Sequence, residues 1–326
     1  GRRGPYRRMV VWRDSGPEGA DSIHFDAAEQ GLPALGHIVE NEVLRALLWE
    51  QASQAGVRFE VGARPQGLQQ DSAGVRLELE DGRVLTASLL IGADGQSSWT
   101  RQAAGLTRRA WSYHQQGVVT HAEPAEEHQE TAWQRFLPDG PLALLPLADG
   151  RVSVVWSCPV EAATTLLAGS QSELGAALTR ASGGVLGDLR PTVSARAFPL
   201  LASHTHTYTA ERVVLIGDAA HQVHPLAGLG ANLGVKDADV LAGELAVFLR
   251  QPAADPGDRK ALRRYERARK GDNLTTLTTM DLLHRAFSGG QPALASLAGT
   301  GLGLVDRLPP IKRAFATYAM GGGSRP

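Results

Sequence analysis

The segment RVVLIGDAAHQVHPLAGLGANLGVKD, residues 212–237, constrains the chain more than any other. Its apolar start reads as a buried strand that ends in Gly217-Asp218. A loop rich in glycine follows, Pro225–Gly234, and then NLGVKDADVLAGELAVFLR reads as a long helix. Strand, glycine-rich loop and helix in that order make an α/β unit. A carboxylate at the carboxyl edge of a sheet is costly unless hydroxyls, amides or a cation satisfy it, and a sugar-like polyol would do so. Glycines let backbone N–H groups approach a flat or anionic ligand, and the helix start adds about half a positive charge. The bland alternative is a tight strand–loop–helix connection with no ligand.

A second segment has the same form. LLIGADG, ending in Asp94-Gly95, reads as a short buried strand whose carboxyl end meets a ligand, and GQSSWTR continues it. Ser97 or Ser98 could cap a short helix, and Arg101 could meet a phosphate. An Asp-Gly turn alone is more often only a turn; its weight comes from pairing with the first segment.

Residues 41–55 place Val43, Leu44, Leu47 and Leu48 on one helical face, with Asn41 as N-cap and Gly56 as the stop. VRFEV, residues 57–61, reads as a strand, and an Asp81-Gly82 turn marks a hairpin. Between about 108 and 200 the pattern becomes antiparallel strands with turns at Pro138-Asp139-Gly140 and Asp149-Gly150, plus one helix near 171–182. From 211 the α/β character returns, and the remainder is helical.

Lys+Arg 33 against Asp+Glu 34 gives a formal charge of −1, which removes a global drive toward nucleic acid. The single cysteine, Cys158, excludes an internal disulfide and thiolate zinc sites and suits a reducing compartment. No apolar run approaches the roughly 20 residues that span a bilayer. The basic N-terminus lacks the apolar core of a secretory signal. These readings predict a cytoplasmic protein.

The two Asp-Gly segments together resemble the downstream fingerprints of class A flavin monooxygenases, the family typified by para-hydroxybenzoate hydroxylase. HPLAGLGANLGVKDADVLA, HIVENEVLRALL, LRRYERARKGDN and IKRAFATYAMG are similar to its ubiquinone-biosynthesis branch. The resemblance spans nearly the whole chain, in order. It implies FAD as cofactor, with NAD(P)H and O2 as co-substrates. Asp218 matches the aspartate on the ribityl chain, and Gly217 lets the backbone approach it. Pro225 matches the proline beside the flavin ring, the one position assigned directly to catalysis. Gly228, Gly230, Ala231 and Asn232 match the loop on the pyrimidine edge. Asp94 and Gly95 match the Asp-Gly motif implicated in contacting FAD and NAD(P)H. Glu40 and Asn41 match loosely the helix that meets the FAD phosphates.

The family opens with a strand, GxGxxG and a helix that hold the ADP half of FAD. This chain has no such string. The expectation is that roughly 80–90 residues precede it in an intact enzyme. The expected fold is α/β: an FAD-binding Rossmann-like domain without its first βαβ, an inserted mixed or antiparallel β-sheet substrate domain, and C-terminal helices. The expected boundaries are 1–105 and 205–326 for the FAD-binding domain and 106–204 for the substrate domain.

The implied activity is hydroxylation of an aromatic ring, a polyprenyl phenol of ubiquinone biosynthesis. Trp133, Phe136, Leu145, Pro146, Leu147 and Trp156 would line an apolar pocket for it, or serve only as sheet core. His221 and His224 handle protons or are structural. His204 and His206 have no third ligand, so no metal is expected. Residues 259–270 carry seven Lys/Arg and one Glu; they form a solvated helix face, or contact anionic lipid at the inner face of a membrane or ubiquinone-pathway proteins. Two rivals stay open. One is another flavin oxidoreductase on the same scaffold, although the halogenase string Trp-x-Trp-x-Ile-Pro is missing. The other is a flavin-free partner in a biosynthetic complex.

Overall fold

A computed structural model describes residues 3–223 and 229–288. Of these, the residues within Gly1–Val57, His114–Leu200 and Leu283–Pro326 form one compact unit. Those within Arg58–Tyr113 and Leu201–Leu282 form the other. The described residues contain six α-helices: α1 (Asn41–Gln54), α2 (Trp99–Ala103), α3 (Val160–Ala168), α4 (Gln171–Ser182), α5 (Leu229–Phe248) and α6 (Arg259–Ser288).

The first unit is built on antiparallel hairpins. Thr131–Leu137 pairs with Gly140–Pro146, which pairs with Val152–Pro159, which pairs with the 115–122 stretch of the strand Arg108–Pro124. The turns fall at the Asp-Gly positions that the sequence marks. Gly140 and Gly150 take φ of +134° and +89°, a region that glycine enters without steric cost. The grouping differs from the expected boundaries, because residues before 57 join this unit. The reason is a strand pairing: Arg8–Trp12 adds in parallel to Thr131–Leu137 and antiparallel to Ile23–Asp26.

Helices α3 and α4 cover one face of this sheet. Leu174 and Leu178 of α4 pack on Leu142, Leu144, Val152 and Val154. Burying each such side chain stabilises the fold by roughly 1.5–3 kcal/mol. A capping box starts α4, with Ser170 Oγ accepting from the Glu173 N–H and Glu173 accepting from the Ser170 N–H. Gly175 lets the helix approach the backbone of Leu189; a Cβ there would lie 2.5 Å from that carbonyl oxygen.

The second unit has a parallel pair at its centre. Leu90–Gly92 runs beside Val213–Leu215 in the register Leu90↔Val213, Gly92↔Leu215. Val213, Val214 and Leu215 are fully buried, as expected for a strand covered on both faces. Tyr208, Leu241, Leu262 and Tyr265 complete this core. Arg212 anchors the entry to the strand. Its guanidinium donates to the carbonyls of Asp71, Ser72 and Ser88 and pairs with Asp255. A three-stranded meander, Pro65–Gln70, Val75–Leu79 and Val84–Ala87, turns at Asp81-Gly82 as read from the sequence.

Three local expectations change. Residues 57–61 are not a strand; Val57 and Val61 are 52% and 77% exposed, and no strand among the described residues pairs with them. An extended segment without a ladder partner leaves its N–H and C=O groups to water. In α1, Asn41 is the first helical residue and Glu40 occupies the cap without a side-chain bond. The apolar face of that helix is uncovered among the described residues, with Leu47 and Leu48 more than half exposed. Helix α5 begins at Leu229, so Gly230, Ala231, Asn232 and Gly234 are helical rather than loop.

Candidate cofactor site

The parallel pair brings the two Asp-Gly segments together. Gly92 and Leu215 are register partners, and the Ile216 N–H donates to the Gly92 carbonyl at 3.0 Å. Both chains therefore leave the sheet at the same carboxyl edge, and Asp94 and Asp218 stand just beyond it. Gly92 is required by packing, since a Cβ would lie 2.7 Å from Leu215 Cδ2 and 2.8 Å from Thr100 Cγ2.

The two aspartates have different environments. Asp94 accepts from Ser98 Oγ at 2.5 Å and from the Thr100 N–H at 2.9 Å. Burial pushes its carboxyl pKa up, but these hydrogen bonds outweigh it and hold the group below its ordinary value. Ser98 in turn caps α2 through the Arg101 N–H. Asp218 lies in the short turn Gly217–Ala219 and makes no hydrogen bond or ion pair among the described residues. Its side chain reaches solvent, while neighbouring protein mass raises its carboxyl pKa and the His221 charge opposes this. A carboxylate with open acceptor positions at a sheet edge suits hydroxyl donors.

Arg101 is buried. Its guanidinium donates to the carbonyls of Ala219 at 2.9 Å and Gln96 at 3.0 Å. It ties the first Asp-Gly turn to the second instead of facing solvent. Gly95, at φ +77°, makes the turn between Asp94 and α2.

Beneath Asp218 lies a network that the sequence reading missed. Asp237 of α5, fully buried, accepts the Gly217 N–H at 2.9 Å. The same carboxylate meets His221 Nε2 at 2.5 Å, Arg269 Nε at 2.7 Å and Asn273 Nδ2 at 3.2 Å. Burial alone would raise its pKa; His221, Arg269 and the Gly217 N–H reverse that and lower it. Arg269 is 1% exposed, and its Nη1 and Nη2 donate to Asp272 and Asn273, each at 2.6 Å. Tyr265 donates to the Leu215 carbonyl at 2.9 Å. A signal was available: Leu233, Asp237 and Leu241 share one helical face by spacing, so a charge stands in an apolar stripe.

Gly217 and Gly234 bring strand end and helix into contact. Gly217 takes φ +59°, and a Cβ on Gly234 would lie 3.3 Å from the Gly217 Cα. This seats Asp218 close to the first turn of α5, where Gly230, Ala231 and Asn232 stand. The N–H groups of a first turn have no partners within their helix. Pro225 and Gly228, and His224 with them, lie outside the described residues. His221, in contrast, is a buried member of the Asp237 network. Among the described residues, no group of three or more His, Cys, Asp or Glu side chains could hold a metal.

The expected pocket side chains divide between two faces of the sheet. Trp133 and Trp156 pack with the core under α3 and α4. Phe136 and Leu145 differ from Trp133 and Leu144 by odd spacing in their strands, so they point to the opposite face.

Two parallel strands ending in acidic turns beside a helix amino terminus define a nucleotide-cofactor fold of the α/β class. The polar groups fit FAD: an open carboxylate for the ribityl hydroxyls, a glycine crevice, and the N–H groups of a helix first turn. A family model described as "FAD binding domain" matches residues 18–272, and the chain belongs to that family. It is an FAD-dependent monooxygenase of class A. It is 37% identical over 319 residues to the 3-demethoxyubiquinol 3-hydroxylase of Escherichia coli K12, covering 97% of this chain and 80% of that protein. It is 37% identical over 300 residues to ubiquinone hydroxylase UbiL of Rhodospirillum rubrum, covering 92% and 70%. In fold it is similar to Klebsiella pneumoniae HpxO complexed with FAD and uric acid. That likeness has a TM-score of 0.77 at 22% identity and covers 99% of this chain and 82% of that one.

Proposed function

We propose that the chain hydroxylates the aromatic ring of a ubiquinone precursor, a polyprenyl phenol, with NAD(P)H and O2. The observation that carries this reading is the edge formed by Gly217-Asp218 and the first turn of α5, in a chain 37% identical to a named ubiquinol hydroxylase. Bound FAD supplies the hydride and oxygen chemistry. The protein's own residues bind and orient it. Asp218 accepts from ribityl hydroxyls, and Gly217 keeps the backbone close. Gly230, Ala231 and Asn232 offer N–H groups to the pyrimidine edge, with Gly228 and Pro225 completing the loop by resemblance. The helix dipole favours negative charge there by up to about 2 kcal/mol in a partly buried site. Asp94, Gly95 and Arg101 support the site from the neighbouring strand, with Arg101 acting through the Ala219 carbonyl.

A polyprenyl substrate dissolves in lipid. Among the described residues no helix is long and apolar enough to cross a membrane. The reading therefore includes work at a membrane surface, on its inner face, with other ubiquinone-pathway proteins nearby. Incubating the chain with FAD, NAD(P)H and a short-chain prenyl phenol tests it. The expected product is the ring-hydroxylated phenol; cofactor oxidation that yields only peroxide would count against the substrate.

A further inference from the structure

Helix α6 carries a cationic face that the cofactor site does not use. Over its first three turns, Ala261, Leu262, Tyr265 and Arg269 are buried. Arg259, Lys260, Arg263, Arg264 and Arg267 are exposed. At 3.6 residues per turn, these five fall within an arc of roughly 140°. None of their side chains makes a hydrogen bond or ion pair among the described residues. By contrast, Arg7, Arg45, Arg58, Arg83 and Arg151 each lie against a carboxylate.

The acids near this face are engaged elsewhere. Glu266 accepts from the Tyr208 N–H at 2.9 Å and from Thr209 Oγ1 at 3.1 Å. Asp258 accepts from the Lys260 N–H at 2.6 Å, and Asp255 pairs with Arg212. Those neutral donors leave Asp258 and Glu266 charged, so with Glu211 there are three acids without an ion pair against the five cations of the face. Arg259–Arg263 and Arg263–Arg267 are like-charge pairs at i,i+4 spacing, which destabilise an isolated helix. A partner of negative charge reverses that effect.

A cleft of about 820 Å³ opens beside the same turns. Arg212, Arg259, Lys260 and Arg263 line it together with Glu211, Asp255, Asp258 and Glu266, so its charges balance and the excess of positive charge lies on the exposed arc of the helix. Leu274, 45% exposed, falls on the same arc further along α6, so an apolar contact continues the charged one. A basic face with an adjoining exposed leucine is the pattern of a helix lying on an anionic bilayer.

We propose that the exposed face of α6 from Arg259 to Arg267 docks the chain on anionic phospholipid headgroups. The proposal rests on the reading that the substrate is a lipid-dissolved phenol. The test is co-sedimentation of the full chain with phosphatidylcholine vesicles, with and without phosphatidylglycerol. The chain should sediment with the phosphatidylglycerol vesicles and be released at high salt. Each basic residue near such a surface contributes enough that the triple variant Arg259→Gln/Arg263→Gln/Arg267→Gln should bind on the order of 100-fold more weakly. Its melting temperature should match wild type or rise slightly, because two like-charge pairs are gone. The double variant Lys260→Gln/Arg264→Gln gives a second, smaller loss.

Equal sedimentation with both vesicle types would overturn the proposal, as would undiminished binding by the triple variant. Retention by an acidic protein without retention by vesicles would also overturn it. Turnover of a short-chain, water-soluble phenol separates the two readings. If the triple variant keeps that turnover and loses the vesicles, the surface is confirmed. If wild type binds vesicles but hydroxylates no phenol, the substrate reading fails alone.

Discussion

Asp237 Oδ2 accepts the backbone N–H of Gly217 at 2.9 Å, from inside a helix and with no solvent exposure. The carboxylate thereby fixes the residue that precedes Asp218, while Arg269 pairs with its charge and His221 hydrogen-bonds it. Removing one member of a buried, hydrogen-bonded pair typically costs 3–5 kcal/mol, because the other is left uncompensated. Asp237→Ala should therefore lower the unfolding free energy by about 3–5 kcal/mol in urea titration, with the Gly217 N–H and Arg269 Nε left without their buried acceptor. Loss below about 1 kcal/mol would mean that the network carries little of the fold.

Asp218 should behave in the opposite way. It has no intramolecular partner among the described residues, and its surroundings raise its pKa. Asp218→Asn should leave stability unchanged or slightly higher. A hydrogen bond to a charged group contributes about 1.5–3 kcal/mol, so FAD affinity should fall by about 10–100-fold. Flavin titration read beside a thermal melt separates the two effects. Equal FAD affinity in both proteins would remove Asp218 from the site.

Gly217→Ala tests the backbone at the strand end. The added Cβ would lie 3.7 Å from the Gly234 Cα, an ordinary contact. The cost is instead conformational, because φ is +59°. Holding a non-glycine residue there costs on the order of 1–3 kcal/mol. The melting temperature should fall accordingly, and FAD binding should weaken with it.

His204 gives the unit a pH dependence. Burial, followed by the charges of Lys270, His221 and His206, lowers its pKa from 6.5 to about 4. Its Nδ1 meets the Tyr208 hydroxyl at 3.4 Å, and its Nε2 is buried without a partner. A base depressed in the folded state takes up a proton on unfolding between those values. Its contribution is complete above the unfolded value, shrinks as pH falls and is lost below about 4. Urea midpoints measured across that window should show a flatter slope for His204→Gln than for wild type.

The sequence carried some of this structure and not the rest, for physical reasons. The helix near 171–182 is Gln171–Ser182, because Ser170 and Glu173 form a local capping box and Gly183 closes it at φ +70°. The Asp-Gly turns were legible because only glycine enters their positive-φ positions cheaply. Val57–Val61 failed because alternation specifies a face but cannot supply a pairing strand. Asp237 and Arg269 were overlooked because buried charge becomes tolerable only through long-range partners; Arg269 lies 32 residues from Asp237 in sequence and 2.7 Å from it in space. In the stretch 259–270, sequence counted seven basic residues as one face. The fold assigns Arg269 to the core and Lys270 to the His206 carbonyl, leaving the other five exposed.

The most direct test of the account is oxygen transfer itself. The full chain, loaded with FAD and supplied with NAD(P)H and labelled dioxygen, is incubated with a prenyl phenol, and the product is read by mass spectrometry. One labelled oxygen atom is expected on the aromatic ring, and its loss in Asp218→Asn at limiting FAD. Bound FAD with reduced nicotinamide consumed and no label on the ring would contradict it.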